Sequence, residues 1–293
     1  MEQAMFSIPL DSIAEHIPHL QNRFGELLDL FSYEMRIGAP DSPEYAENLE
    51  GFITYPDMVL AYGRIMAVFP DVKNLEKQFG RAFYNYSKFF PEKEIPSIYT
   101  FFSGFNNKGI VNEDIMAIAL DYYLGRNEEI YHWLGLQNYE RQLRDKKYLV
   151  SDYMNEWIST EFPFNDSINT VLANIIYKGK IMYTLHRILP QTPDSVLFGF
   201  SPEQMRWCRD NTTEMYTFLV EQRLLFSTDQ FTINKLLEPS PFTSTFGNRT
   251  PGRAAIWLGY RIVAAYMKRE NVSLKELLLD NDYQNILSKS RFR

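Results

Sequence analysis

The sequence predicts a mainly α-helical α+β protein with a small antiparallel β-sheet. Three observations carry this. Apolar residues recur at helical spacing from about 12 to 90 and again from about 150 to 290. Between these regions, 95–125 is aromatic, β-branched and punctuated by turn residues. No internal repeat, low-complexity block or linker-like stretch interrupts the chain, so residues 1–293 are expected to form a single domain.

Taken in order, Ser12–Met35 reads as one helix, with Ile13, Ile17, Leu20, Phe24, Leu27, Leu28 and Phe31 on one face. Pro40, Asp41 and Pro43 break it, and a second helical region runs to about Glu50. Tyr55–Val68 and Val72–Phe90 are two further helices, separated by Pro70-Asp71. IPSIYTFFSGF (95–105) and IMAIALDYYLG (115–125) flank the turn Asn106-Asn107-Lys108-Gly109, which suggests two or three antiparallel strands. The second run is apolar enough for a strand covered on both faces. Tyr131–Arg144 lacks any period and is expected to be irregular.

Helical spacing returns over Val150–Glu161. Thr170–Ile188 then reads as a central core helix, with Thr170 as N-cap and Gly179 marking a close approach by another element. Ser201-Pro202-Glu203-Gln204 combines a cap, a proline at the first helical position and a capping box. Its helix is expected to run to about Leu225. A short helix ending near Leu237, a helix over Gly252–Glu270, and helices over Ser273–Leu279 and Tyr283–Leu287 complete the chain.

Composition narrows the function. Net charge is −7 with no long basic run, which argues against nucleic-acid binding. The single cysteine, Cys208, excludes an internal disulfide and reads as a small core hydrophobe. No apolar run approaches the roughly 20 residues of a membrane-spanning helix. With 22 Phe and 19 Tyr, the chain can bury large rings and still offer aromatic surface to a partner.

Motifs for chemistry are absent. No two of the four histidines stand four apart, and His16 and His19 have Pro18 between them, so no metal ligand set and no cofactor is expected. There is no G-x-S-x-G elbow, dinucleotide fingerprint or P-loop, and no catalytic residue is assigned. Asp121 is expected to end a strand, and Glu214 and Glu221 lie two turns apart on one helix. Lys178 and Lys180 occupy the margins of the central helix's apolar stripe, beside Tyr177. A buried ammonium there would need an acidic partner, for which Glu214 is the candidate. Arg253 sits in a first helical turn, unfavourable for a cation unless it serves a partner or an ion pair, and Trp257 follows it on the same helix. Tyr177, Lys178, Lys180, Glu214, Glu221, Arg253, Trp257 and Asp121 are the candidate binding residues.

Several stretches resemble a known family: IIYKGKIMYTL (175–185), FGFSPEQMRWCRDN (198–211), LLFSTD (224–229), EPSPFT (238–243), TPGRAAIWLGYRIVAAYM (250–267) and ILSKSRF (286–292). With ALDYYLG (119–125) and TFFSGFNNKGI (100–110), they are similar in order and spacing to the gliding-motility-associated lipoprotein family GldB of Bacteroidota. The resemblance implies a lipid-modified cysteine after a signal peptide, neither of which Met1–Leu10 shows, and so the mature soluble part of a protein anchored in the cell envelope. That family is in turn similar to zinc proteases carrying H-E-x-x-H on the equivalent helix. Here NIIYKGK (174–180) stands in that place, and neither Ile176 with Lys180 nor Asn174 with Lys178 can hold zinc. The implied fold is a degenerate zincin-like metalloprotease scaffold. The implied role is a non-enzymatic envelope lipoprotein, periplasmic or at the outer surface, that binds a protein or peptide partner in gliding or secretion. Alternatives are a hydrolase with an altered, non-zinc site and a glycan-binding module.

Overall fold

The helical period across 12–35 is interrupted at Gly25, whose φ of +49° lies in the left-handed region. The expected single helix is therefore two. In the computed structural model, which describes residues 1–293, the chain forms two compact units. The first comprises Met1–Glu76 and Ile95–Leu124; the second comprises Lys77–Glu94 and Gly125–Arg293.

In the first unit, α1 (Glu2–Phe6), α2 (Ile13–Phe24), α3 (Glu26–Glu34), α4 (Tyr45–Thr54) and α5 (Pro56–Val68) precede the sheet. Ile13, Ile17, Leu20 and Phe24 of α2 join Leu28, Phe31, Tyr45 and Leu49 in one core cluster. The Tyr45 hydroxyl and Ser32 Oγ share a buried hydrogen bond of 2.7 Å. Strands β1 (Ser97–Phe101), β2 (Gly109–Val111) and β3 (Ile115–Ala119) lie in the order β1-β3-β2.

The sheet is mixed, which corrects the antiparallel expectation. β2 pairs antiparallel with β3, Gly109 opposite Ile118, whereas β1 pairs parallel with β3, Ser97 opposite Ile115. The cause is that β3 is the central strand, buried at all five residues, and offers both edges. The chain from β1 to β3 passes through a loop and β2, long enough for the crossover that parallel pairing needs.

Helix α6 (Lys73–Phe89), which belongs to the second unit from Lys77 onward, lays Phe83 and Tyr86 against Trp157, with Phe83 edge-on at 5.8 Å between ring centres. The segment expected to be irregular holds two five-residue helices, α7 (Glu129–Trp133) and α8 (Asn138–Gln142). Helices this short bury too little to leave a period, yet α8 has Glu140 in its first turn accepting the Gln137 N–H at 2.7 Å, the returning half of a capping box. α9 (Leu149–Glu161) follows, then α10 (Val171–Ile188), capped by Thr170 accepting the Ala173 N–H at 3.1 Å.

After α10 come α11 (Asp194–Leu197), α12 (Pro202–Asp210), α13 (Thr212–Glu221), α14 (Gln230–Leu237), α15 (Ala254–Arg269), α16 (Leu274–Leu279) and α17 (Tyr283–Ser290). The Ser201–Gln204 capping box is formed. The long helix expected over 201–225 is broken at Asn211, whose Nδ2 donates to the Trp207 carbonyl, while Thr212 Oγ1 donates to that of Cys208. The Asn211 N–H still bonds the Trp207 carbonyl at 3.0 Å, so the side chains share these carbonyls with the main chain, and the break lies in Asn211 itself, which leaves the helical angles at φ −107° and ψ 18°.

α10 buries 13 of its 18 residues, so it is covered on all sides rather than along one stripe. α9, α15, α16 and α17 pack around it. No helix is long and apolar enough to cross a membrane.

Candidate functional site

The site is built on the crossing of α10 and α15. A Cβ on Gly179 would stand 2.3 Å from the Gly259 backbone carbon, and one on Gly259 would stand 1.9 Å from the Ile175 carbonyl oxygen. Only two glycines permit the backbones to touch in this way, as the mid-helix Gly179 led one to expect.

One residue past this contact, Lys180 is completely buried. Its ammonium donates to the Leu278 carbonyl at 3.2 Å and the Asp280 carbonyl at 2.7 Å, the C-terminal end of α16. The Tyr283 ring lies 5.1 Å away. Carbonyls at a helix C-terminus lack intrahelical donors and carry partial negative charge, so they suit a cation. Burial pushes the Lys180 pKa down to about 8, opposed by the charge of Asp280. Burial also raises the Tyr283 phenol to about 12. The expected acidic partner is not here: Glu214 is exposed on α13, as is Glu221 at its end. Main-chain oxygens take the role proposed for Glu214, because the α16 end lies against this face of α10.

Of the other candidates, Tyr177 is buried and donates its hydroxyl to the Phe162 carbonyl at 3.1 Å. Lys178 is half-buried, its ammonium 5.8 Å from the centre of the Tyr177 ring. Trp257 is a core residue: its Nε1–H donates to Thr212 Oγ1 at 2.9 Å, and Phe198 meets its ring edge-on. These three and Lys180 share one helix pair.

Arg253 lies just before α15, at its N-cap, in the left-handed conformation with φ +59°. Its Nη2 donates to the Phe198 carbonyl at 2.9 Å. The turn before it is locked by two threonines. Thr243 Oγ1 donates to the Pro251 carbonyl and accepts the Ala254 N–H, and Thr250 Oγ1 donates to the Thr243 carbonyl. Beside Arg253 is a crevice of about 30 Å³, room for a single water-sized molecule, bordered by Leu143, Phe200, Gln204 and Ser240.

Asp121 belongs to the first unit and does not end a strand. β3 stops at Ala119, and Asp121 sits in the 3₁₀ turn that follows. It is completely buried and accepts from the Ser103 N–H at 2.9 Å, the Ser103 hydroxyl at 2.8 Å and the Phe105 N–H at 2.6 Å. These bonds hold the left-handed pair Gly104 and Phe105. Burial raises its carboxyl to about 6 against the pull of those donors. Cys208, the chain's one thiol, is buried and pushed up to about 12, unsuited to act as a nucleophile.

Sequence reasoning missed the open cleft of the second unit. About 490 Å³ in volume, it is bordered by α6, the start of α9 and the turn after α10. Arg81, Tyr84, Asn85, Lys147 and Gln191 contribute polar groups to its walls. These residues come from three distant segments and form no motif; the one available signal is the basic and amide character of α6's outer face. A larger cleft of the first unit, about 750 Å³, borders α3 and mixes Asp29 and Asp41 with Arg36.

A family model described as gliding motility protein GldB matches residues 1–293, the whole chain. No curated protein and no solved structure matches it.

Proposed function

The chain belongs to the gliding motility protein GldB family, and on that premise we propose that it acts as a non-enzymatic, lipid-anchored component of the cell envelope. It binds a protein or peptide partner of the gliding or secretion machinery. The observation that carries this reading is the interior around Lys180. The resemblance to zinc proteases would put their metal-binding helix at α10, with this region as the metal's place. Here the space is filled, and an ammonium held by main-chain carbonyls ties α10 to α16. A cation in that place opposes metal binding, and complete burial keeps the amine of Lys180 from reaching a substrate.

The remaining ionisable candidates are engaged elsewhere or exposed. Asp121 fastens its own loop, and Glu214 and Glu221 stand in water without a facing nucleophile. Large exposed rings favour a binding surface: Phe226 is 59% and Phe231 66% accessible, next to α13 and on α14.

Complementation tests the reading. In a host strain depleted of the native protein, Lys180→Met should fold and restore the lost envelope phenotype, because Lys180 serves only the fold. A Lys180→Met chain that folds and accumulates normally yet fails to complement would overturn the non-enzymatic role.

A further inference from the structure

We propose that the cleft between α6, α9 and the turn after α10 binds a short acidic peptide segment that carries an apolar side chain. The inference deepens the partner-binding reading and rests on it. Four observations converge on this ligand.

The first is charge. Arg81 and Lys147 line the cleft, and no aspartate or glutamate does. In a chain of net charge −7, two unopposed cations in one recess mark a local reversal of sign. Asp145, two residues before Lys147, turns its carboxylate to the Lys147 N–H at 3.1 Å and caps its own turn. A third cation stands at the rim: the Lys88 ammonium lies 4.0 Å from the centre of the Tyr84 ring, and Tyr84 lines the cleft.

The second is preorganisation. Arg81 Nη1 donates to Gln191 Oε1 at 3.4 Å, and Asn85 Nδ2 donates to the Ile188 carbonyl at 2.9 Å. The part-buried Asn85 bond ties α6 to the turn opposite, whereas the longer Arg81 contact lies exposed, so the walls keep a set distance with or without Arg81 before any ligand arrives, which lowers the entropic cost of binding.

The third is an apolar floor. Ala82, Val150, Ile188, Leu189 and Pro190 supply it, so the recess offers burial as well as charge. The fourth is size. About 490 Å³ falls within the roughly 300–1,000 Å³ of ligand clefts and accommodates a few residues of peptide. Gln78, Asn85, Gln191 and Thr192 add amide and hydroxyl groups suited to a peptide main chain.

A fluorescein-labelled octapeptide of alternating glutamate and leucine, titrated into the purified full chain and followed by anisotropy, tests the proposal. Binding should weaken as salt is added, and the same peptide with lysine for glutamate should not bind. Arg81→Glu with Lys147→Glu, both exposed positions, should keep the wild-type circular dichroism and melting midpoint while weakening the acidic peptide by roughly tenfold or more. A photoreactive leucine analogue in the peptide should cross-link to α6 or to residues 188–192, which locates the peptide without any substitution. Equal binding by the folded double variant, cross-links confined elsewhere, or no binding at all would overturn the proposal. Displacement by inorganic phosphate as effective as by unlabelled peptide would also overturn it, in favour of a simple anion site. Any of these results leaves the partner-binding reading standing or falling on complementation alone.

Discussion

At the residue scale, Lys180 shows how a buried charge can be tolerated without a buried carboxylate. Its folded pKa of about 8 lies below the ordinary 10.5. Below about pH 8 both folded and unfolded chains hold the proton, so stability does not change with pH. Between about pH 8 and pH 10 the unfolded chain holds the proton and the folded chain has released it, so stability rises with pH, by at most about 1.4 kcal/mol per unit. Lys180→Met should remove that rise. At neutral pH it should also destabilise by about 1–3 kcal/mol, because the Leu278 and Asp280 carbonyls lose their donor. Urea midpoints of both proteins across this range decide it; parallel curves would refute the assignment. Asp121 behaves in the opposite sense. Its folded pKa of about 6 lies above the ordinary 3.8, so its stabilising contribution is complete below about pH 4 and is lost as pH rises through 6. Asp121→Ala should cost about 3 kcal/mol or more, since the Ser103 and Phe105 N–H groups lose a buried acceptor. A urea midpoint close to wild type would show that those amides find other partners.

At the element scale, the α10–α15 crossing makes two glycines structural. An alanine normally favours a helix over glycine by about 1 kcal/mol. At Gly179 or Gly259 the added methyl would strike main-chain atoms of the opposite helix, which cannot rotate away as a side chain can. Gly179→Ala and Gly259→Ala should therefore each destabilise by about 1–3 kcal/mol or more. Gly80 on α6 has open space where a Cβ would stand, and Gly80→Ala should stabilise by roughly 0.5–1 kcal/mol. Melting midpoints of the three variants should move in those opposite directions. A uniform gain would mean that the helices separate readily. The same scale explains the broken helices: a left-handed Gly25 ends α2, and Asn211, off the helical angles at φ −107° and ψ 18°, ends α12.

At the scale of the whole molecule, the family match spans both units, while the second unit is discontinuous in sequence. Its core depends on α6, which reaches it from before the sheet. Trp157 is 1% exposed because Phe83 and Tyr86 cover it, and Phe90 packs on Phe162 at 5.2 Å. A fragment of residues 125–293, lacking these rings, should show red-shifted tryptophan emission and bind a hydrophobic dye, with loss of cooperative melting. A native-like emission spectrum and a sharp transition in that fragment would show that α6 is dispensable.

Much of this was legible without coordinates. The helical class, the Thr170 cap, the Ser201–Gln204 box, the buried Cys208 and the tight approach at Gly179 all follow from one residue type in its local context. A cap is satisfied within a turn, and a mid-helix glycine carries its meaning at a single position. The family, too, was written in the order and spacing of the stretches that resemble it. Other features were decided only by tertiary structure. The acceptors for Lys180 lie on Leu278 and Asp280, the latter 100 residues away, and are main-chain oxygens that every residue carries. No side-chain pattern can announce them, which is why a carboxylate was sought instead. Parallel pairing of β1 depended on which edge of β3 the returning chain reached, and strand composition does not encode that choice. The basic cleft assembles Arg81, Lys147 and Gln191 from segments that are ordinary when read alone. Local chemistry is set by covalent neighbours; partnership between distant segments exists only once the chain has closed on itself.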